Sequence, residues 1–242
     1  MAGTLYIVPT PVGNLADMTP RAIEILNSVD IILAEDTRTS SPLLKHFGVN
    51  RPLASHHKFN EHDNCGHIVD RIINGENVAL ISDAGTPGIS DPGFMLSRSC
   101  REAGITVITL PGATAFVPAL INSGLPCDRF TFQGFLPLKK GRKTRLQEIA
   151  ESSVTNIMYE SPVRLVRTLK ELCDACGENR PASVSREISK MFEETRCGNL
   201  KELLDYFSLN TPRGEFVIIV GALPTPHKKE HKNKYTDRQD SD

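Results

Sequence analysis

Val78-Ala79-Leu80-Ile81-Ser82-Asp83-Ala84-Gly85-Thr86-Pro87-Gly88-Ile89-Ser90-Asp91-Pro92-Gly93 begins as a short apolar run and passes directly into glycine, proline and small polar residues. An unbroken aliphatic run without polar alternation is the pattern of a strand covered on both faces, as in a parallel sheet. Leu5 to Val8, Ile31 to Ala34 and Thr106 to Leu110 repeat it. Helix starts are marked between them and beyond by a capping side chain ahead of proline, at Thr19-Pro20, Ser41-Pro42, Asp91-Pro92 and Ser161-Pro162. Proline suits the first helical position because its missing N–H has no intrahelical partner there. Gly48, Gly75, Gly104 and Gly177 are placed to end helices in a left-handed conformation. The first half is thus expected to be an α/β domain with a mainly parallel sheet.

Past Asn122 the pattern changes. Strands are expected at Phe130 to Phe135, Thr155 to Tyr159, Ala182 to Glu187, Met191 to Cys197 and Glu215 to Val220. Helices are expected near Lys143 to Ala150, Val163 to Cys176 and Leu200 to Phe207. Turns as short as Ile188 to Lys190 imply antiparallel pairing and hence a mixed sheet. Gly124-Leu125-Pro126-Cys127-Asp128 interrupts both periods and marks a junction. The expected organisation is α/β in two domains, 1–123 and 124–223, with a disordered polar tail over 224–242.

The chain of 242 residues carries 28 Lys and Arg against 29 Asp and Glu, so a nucleic-acid partner would be met by a local basic patch and not by the field of the whole molecule. There is no apolar run of spanning length and no signal-peptide pattern at Met1-Ala2-Gly3-Thr4, so a soluble, cytoplasmic protein without membrane contact is expected. Six cysteines are too sparse for a disulfide framework. Cys173-Asp174-Ala175-Cys176 has C-x-x-C spacing but reads as two helix thiols.

In open α/β sheets ligands bind where strands give way to loops at their carboxyl ends. The loop already quoted, together with Pro9-Thr10-Pro11-Val12-Gly13-Asn14 and Pro111-Gly112-Ala113-Thr114-Ala115, forms such an edge, with rigid backbone and one evident carboxylate, Asp83. Neither G-x-x-x-x-G-K-[ST] nor G-x-G-x-x-G occurs, which disfavours a nucleoside triphosphate or nicotinamide, and no G-x-S-x-G elbow supports covalent hydrolysis.

Val8-Pro9-Thr10-Pro11-Val12-Gly13-Asn14-Leu15, Ala34-Glu35-Asp36-Thr37-Arg38, Ser82 to Gly93, Leu110-Pro111-Gly112-Ala113 and Tyr159-Glu160-Ser161-Pro162 occur in that order. With Arg186 to Lys190 and Gly214 to Ile218, the series resembles the bacterial ribosomal RNA small-subunit methyltransferase I family, within the tetrapyrrole-methylase-like class. The resemblance implies an S-adenosylmethionine-dependent enzyme that methylates a cytidine ribose 2′-hydroxyl in the decoding region of 16S ribosomal RNA. It further implies a homodimer with the cofactor in the interdomain cleft. Carried over by position, Pro9, Thr10, Pro11, Val12 and Gly13 form a first cofactor loop. Asp83 and Thr86 belong to a second, Thr114 and Ala115 to a third, and Met158, Tyr159 and Gly221 cover the adenosine from the other domain.

Methyl transfer from a sulfonium is an in-line displacement in which the protein aligns donor and acceptor. A ribose hydroxyl is a poor nucleophile, so a base or cation that handles its proton helps. Asp36, Glu187 and Lys190 are candidates that sequence does not rank, and each also reads as a salt bridge at a strand end. Lys139, Lys140, Arg142, Lys143 and Arg145 crowd the start of the second domain as a patch for RNA phosphates, or as a solvated helix start. His56, His57, His62, Cys65 and His67 fit no zinc spacing, so no metal is expected. His57, Asn60 and Glu61 match a family segment, which implies a loop near the substrate or the dimer contact, and they also read as a solvated helix start. A small-molecule methyltransferase, as for a tetrapyrrole, and a noncatalytic RNA-binding assembly factor remain open alternatives.

Overall fold

A computed structural model describes residues 1–57 and 61–223. Asn60 and the tail 224–242, for which disorder is expected from sequence, lie outside the described residues. Strands β1 (Thr4–Ile7), β2 (Ile31–Ala34), β3 (Leu53–Ser55), β4 (Val78–Ile81) and β5 (Thr106–Thr109) form a wholly parallel sheet in the order β3-β2-β4-β1-β5. Helices α1 (Pro20–Ser28), α2 (Thr37–His46), α3 (Glu61–Ile73) and α4 (Phe94–Glu102) cover it. Alternate residues of each strand go to opposite faces. Leu5, Ile31 and Leu33 pack with Cys65, Ile68 and Ile72 of α3 and with Leu96 and Cys100 of α4. Val8, Ile32 and Ala34 pack with Ala22 and Leu26 of α1 and with Leu44 of α2. Burial on both faces is the reason β2 and β4 read as continuous apolar runs, whereas β5, expected from the same pattern, lies at the sheet edge with Thr106 and Thr109 exposed.

The second sheet contains β6 (Phe130–Phe135), β7 (Thr155–Glu160), β8 (Pro181–Arg186), β9 (Glu194–Asn199) and β10 (Phe216–Val220), in the order β6-β7-β10-β8-β9. Only β6 and β7 pair in parallel; the other neighbours are antiparallel, so the sheet is mixed. On one face Met158, Val184 and Ile218 meet α6 (Arg142–Glu151), α7 (Pro162–Cys176) and α8 (Leu200–Leu209). On the other, Ile157, Val217 and Ile219 meet Ala119 and Leu120 of α5 (Phe116–Asn122). α5 thus packs on the second sheet, although it precedes the junction expected after residue 123. Its apolar residues belong to that core, and the glycine at 124 is the turn that follows the helix, with φ at +66°.

Several local expectations are revised. Ser41-Pro42 does not start a helix: α2 begins at Thr37, capped by the Asp36 carboxylate, which accepts the Arg38 N–H at 2.8 Å, and Pro42 lies inside it. Asp91-Pro92 does not cap α4, whose N-cap is Gly93 with φ at +133°. β3 carries no strand signal because Leu53-Ala54-Ser55 is a short edge strand. Thr19 caps α1 as expected, accepting the Ala22 N–H. Burial pushes the Cys173 and Cys176 thiols up, away from the reactive thiolate. No helix among the described residues is long and apolar enough to cross a membrane.

Candidate functional site

The loops leaving β1, β4 and β5 are fastened to one another. Thr10 and Gly85 exchange backbone hydrogen bonds at 2.9 and 3.0 Å, the Thr10 hydroxyl donates to the Ser82 carbonyl, and the Thr86 hydroxyl donates to the Ala113 carbonyl at 3.0 Å. Gly112 lies so close to Pro9 that a Cβ there would stand 2.5 Å from the proline ring. This cross-linking fixes the floor of a cavity of about 460 Å3 between the two sheets. Val12, Asp83 to Thr86, Ile89 to Asp91, Thr114 and Ala115 line it from the first sheet; Phe135, Tyr159 to Pro162, Ile188 and Glu215 to Val217 line it from the second.

The two walls differ in chemistry. The second-sheet side is aromatic: Tyr159 meets Phe132 at 5.1 Å and Phe135 at 5.6 Å between ring centroids, and Phe116 closes on Phe132 at 4.8 Å. Burial pushes the Tyr159 hydroxyl up to about 12, so it stays protonated. The first-sheet side carries three carboxylates, Glu35, Asp83 and Asp91. Burial raises Asp91 to about 7, helped by the charges of Glu35 and Asp83. Burial also raises Glu35, as do Asp83 and Asp36, while His57 pulls the other way. Asp83 is raised by burial too, although it accepts the Asp36 N–H at 3.2 Å. Carboxylates raised by desolvation and by neighbouring negative charge, beside an aromatic wall, are suited to meeting an organic cation.

The family model of the tetrapyrrole (corrin/porphyrin) methylases matches residues 4–204. The chain is 50% identical to the ribosomal RNA small subunit methyltransferase I of Synechocystis sp., covering 92% of this chain and 80% of the relative. It is 48% identical to the protein of the same name in Pseudomonas aeruginosa, covering 95% and 82%. The chain belongs to the ribosomal RNA small subunit methyltransferase I family, within the tetrapyrrole methylases. Among solved structures, the methyltransferase CobJ superposes with a TM-score of 0.68 at 21% identity over 93% of this chain and 96% of its own. A uroporphyrin-III-C-methyltransferase from Thermus thermophilus gives 0.61 at 19% identity over 94% and 99%. These two likenesses are of fold.

With the family in hand, the positions expected from sequence separate into three groups. Val12, Asp83, Thr86, Thr114, Ala115 and Tyr159 line the cavity together. Pro9, Thr10 and Pro11 are buried beneath it and shape the loop, and Lys190 lies over Gly13. Met158 and Gly221 are elsewhere. Strand alternation turns Met158 into the helix-covered core. Gly221 follows the carboxyl end of β10, which runs antiparallel to β7, so it sits at the opposite edge of the sheet from Tyr159. There its N–H donates to the Pro181 carbonyl at 2.8 Å.

The candidate proton-handling residues are tied up. Asp36 is gripped by the Arg38 side chain and backbone, which lower it to about 2. Lys190 donates to Glu187 at 3.0 Å and Glu215 at 2.9 Å; burial opposes its charge, but these two carboxylates hold its pKa up. Burial likewise opposes the Glu187 charge, yet the Glu215 N–H and Lys190 hold its pKa down. The same turn reaches across the cleft, where the Ser189 hydroxyl donates to Asp17 at 2.5 Å.

In the basic patch, Lys139, Lys140 and Lys143 are exposed at the start of α6 and make no ion pair among the described residues, whereas Arg145 pairs with Glu148. Arg142 does not belong to the patch. It is 6% exposed, bonded to Glu171, Thr168 and the Pro137 carbonyl, and has no face to offer a phosphate.

Sequence reasoning misses Glu35, Asp91 and Phe135. Asp91 reads as a helix cap, Glu35 is eclipsed by its neighbour Asp36, and Phe135 enters only through tertiary packing. Of the histidine-rich run, Cys65 is in the first-domain core and His67 is exposed. No group of three or more His, Cys, Asp or Glu among the described residues is arranged to hold a metal.

Proposed function

We propose that this protein transfers the methyl group of S-adenosylmethionine to the ribose 2′-hydroxyl of a cytidine in the decoding region of small-subunit ribosomal RNA, acting in the cytoplasm as a homodimer without a metal. The observation that carries the reading is the cavity itself, aromatic on one wall and acidic on the other, in a chain whose relatives bear that name. Its volume of about 460 Å3 suits a nucleoside with a short tail. Phe135 and Tyr159 offer flat surfaces to a purine, and Asp83 and Asp91 offer negative charge to a sulfonium and an ammonium. S-adenosylmethionine supplies, when bound, an electrophilic methyl group. The protein's part is orientation: Thr86, Thr114 and Ala115 are held in place by the cross-linked loops, so the acceptor meets a fixed target.

Calorimetric titration of the purified protein with S-adenosylmethionine is expected to show saturable binding. Ribosomal RNA from cells lacking the protein is expected to lose one ribose methyl group, read by mass spectrometry and restored by the purified protein. Absence of both would refute the proposal; binding without loss of the RNA methyl group would favour a small-molecule substrate.

RNA would be held in part by Lys139, Lys140 and Lys143. Replacing all three by Ala is expected to leave S-adenosylmethionine affinity intact and to weaken RNA binding. The salt dependence should flatten by about 0.7 in log–log slope for each phosphate that the variant no longer neutralises on single-stranded RNA. Filter binding over a salt series reads the slope, and an unchanged slope would exclude the patch. Arg142→Ala should instead lower folding stability.

A further inference from the structure

The cavity has a neighbour. A second, more open cavity of about 500 Å3 is lined by Asp36, Thr37, Arg38, Ser55 and His57, and it shares Glu35 and Asp83 with the first. Its chemistry is different, since its described walls hold no Phe, Tyr or aliphatic side chain. The topology explains the division: the first cavity lies over the loops of β4, β1 and β5, the second over the ends of β2 and β3, and Glu35 follows β2 at the boundary. Arg38 stands at this opening with its side chain 89% exposed, its guanidinium paired with Asp36 through Nε and Nη2.

We infer that the polar cavity receives the acceptor nucleotide and that Glu35 is the catalytic base, accepting the proton of the ribose hydroxyl as it is methylated. The inference rests on the function proposed above. As the ribose oxygen forms its bond to the methyl carbon, the carbon–sulfur bond breaks and its electron pair passes to sulfur. The hydroxyl proton passes to a Glu35 oxygen. A sulfonium and a carboxylate are thereby converted to a neutral thioether and a carboxylic acid, which returns its proton to water.

The environment distinguishes Glu35 from its acidic neighbours. Asp36 is locked to Arg38 and held near 2, too weak a base for an alcohol. Asp83 already accepts the Asp36 N–H. The Glu35 carboxylate accepts no hydrogen bond from the described residues. Asp36 beside it and Asp83 after β4 face it with negative charge, His57 after β3 partly offsets them, and Asp91 before α4, which holds its proton up to about 7, stays neutral while Glu35 ionises. Burial and those charges raise its proton affinity, as a general base requires.

The test compares Glu35→Gln and Glu35→Asp with the wild type in the full chain. Single-turnover methylation of small-subunit ribosomal RNA is followed against pH at saturating S-adenosylmethionine, with cofactor affinity measured separately by calorimetry. Glu35→Gln is expected to slow methylation by about 100-fold or more while changing cofactor affinity by less than about tenfold. The wild-type rate should fall at low pH with unit slope, the Gln variant should lose that limb, and Asp should restore part of both. A Gln variant that methylates at the wild-type rate would overturn the inference, as would one whose loss lies wholly in cofactor affinity. A wild type that binds S-adenosylmethionine but leaves RNA unmethylated would overturn the proposed function and this inference together.

Discussion

Glu160→Ala is expected to lower folding stability by about 3–5 kcal/mol, the usual cost of removing one partner from a buried ion pair. The Glu160 side chain is fully buried where β7 turns into α7. One of its oxygens pairs with Arg164 at 2.6 Å and accepts the Ser161 N–H at 2.8 Å; the other accepts the Thr168 hydroxyl at 2.7 Å. Thr168 in turn accepts from buried Arg142, which is bonded to Glu171. Truncation strands the Thr168 hydroxyl and the Ser161 N–H and takes the carboxylate from Arg164, while Arg142 keeps Glu171. It also frees Arg164, whose guanidinium lies over the Phe135 ring at 5.8 Å, so the aromatic wall should loosen along with the fold. Urea unfolding followed by circular dichroism should show a lower midpoint with an unchanged slope. A loss below about 1 kcal/mol would mean that solvent readily replaces the carboxylate.

That network separates what is legible in the sequence from what is not. Tyr159-Glu160-Ser161-Pro162 stands out as a motif, and the helix after it is expected from Ser161-Pro162, because proline acts locally. The Ser161 side chain, however, makes no capping bond; Glu160 satisfies the Ser161 N–H instead. Arg142 looks like one more cation in a basic run because its partners lie 26 and 29 positions away in sequence. Central strands β1, β2 and β4 are legible since two-sided burial writes itself as an unbroken apolar run, whereas edge strand β3 is only partly buried and leaves no such trace. The loops of the site are legible through glycine and proline, whose backbone limits are intrinsic. Which of two adjacent acids faces the cavity is not. Asp36 turns aside locally to cap α2, but that Glu35 then lies at the boundary of the two cavities follows only from how the loops after β2 and β4 assemble.

Asp91→Asn is expected to weaken S-adenosylmethionine binding by about one to two orders of magnitude, the loss of one charge-assisted contact of about 1.5–3 kcal/mol. The pH dependence gives the sharper check. Without ligand, burial and the neighbouring Glu35 and Asp83 keep the Asp91 proton on up to about pH 7. A cation prefers the ionised form, so below about 7 a proton must leave as the ligand enters. Affinity should therefore climb with pH toward 7 and level off above it. Binding heats near pH 6 should vary with the ionisation enthalpy of the buffer, reporting the proton released. The same shift sets the sign for the ligand-free protein. Between the ordinary carboxylate value of 3.8 and about 7 the folded chain binds more protons than the unfolded one, so the Asp91 contribution to stability declines as pH rises through that window. A bound cation reverses the decline, and thermal stabilisation by saturating S-adenosylmethionine should be larger at pH 8 than at pH 6. Asn carries no titrating proton, so the variant should lose most of the buffer dependence and of the difference between the two pH values. An Asn variant with wild-type affinity and an unchanged pH profile would remove Asp91 as the cation's partner and leave Asp83 to hold the charge alone.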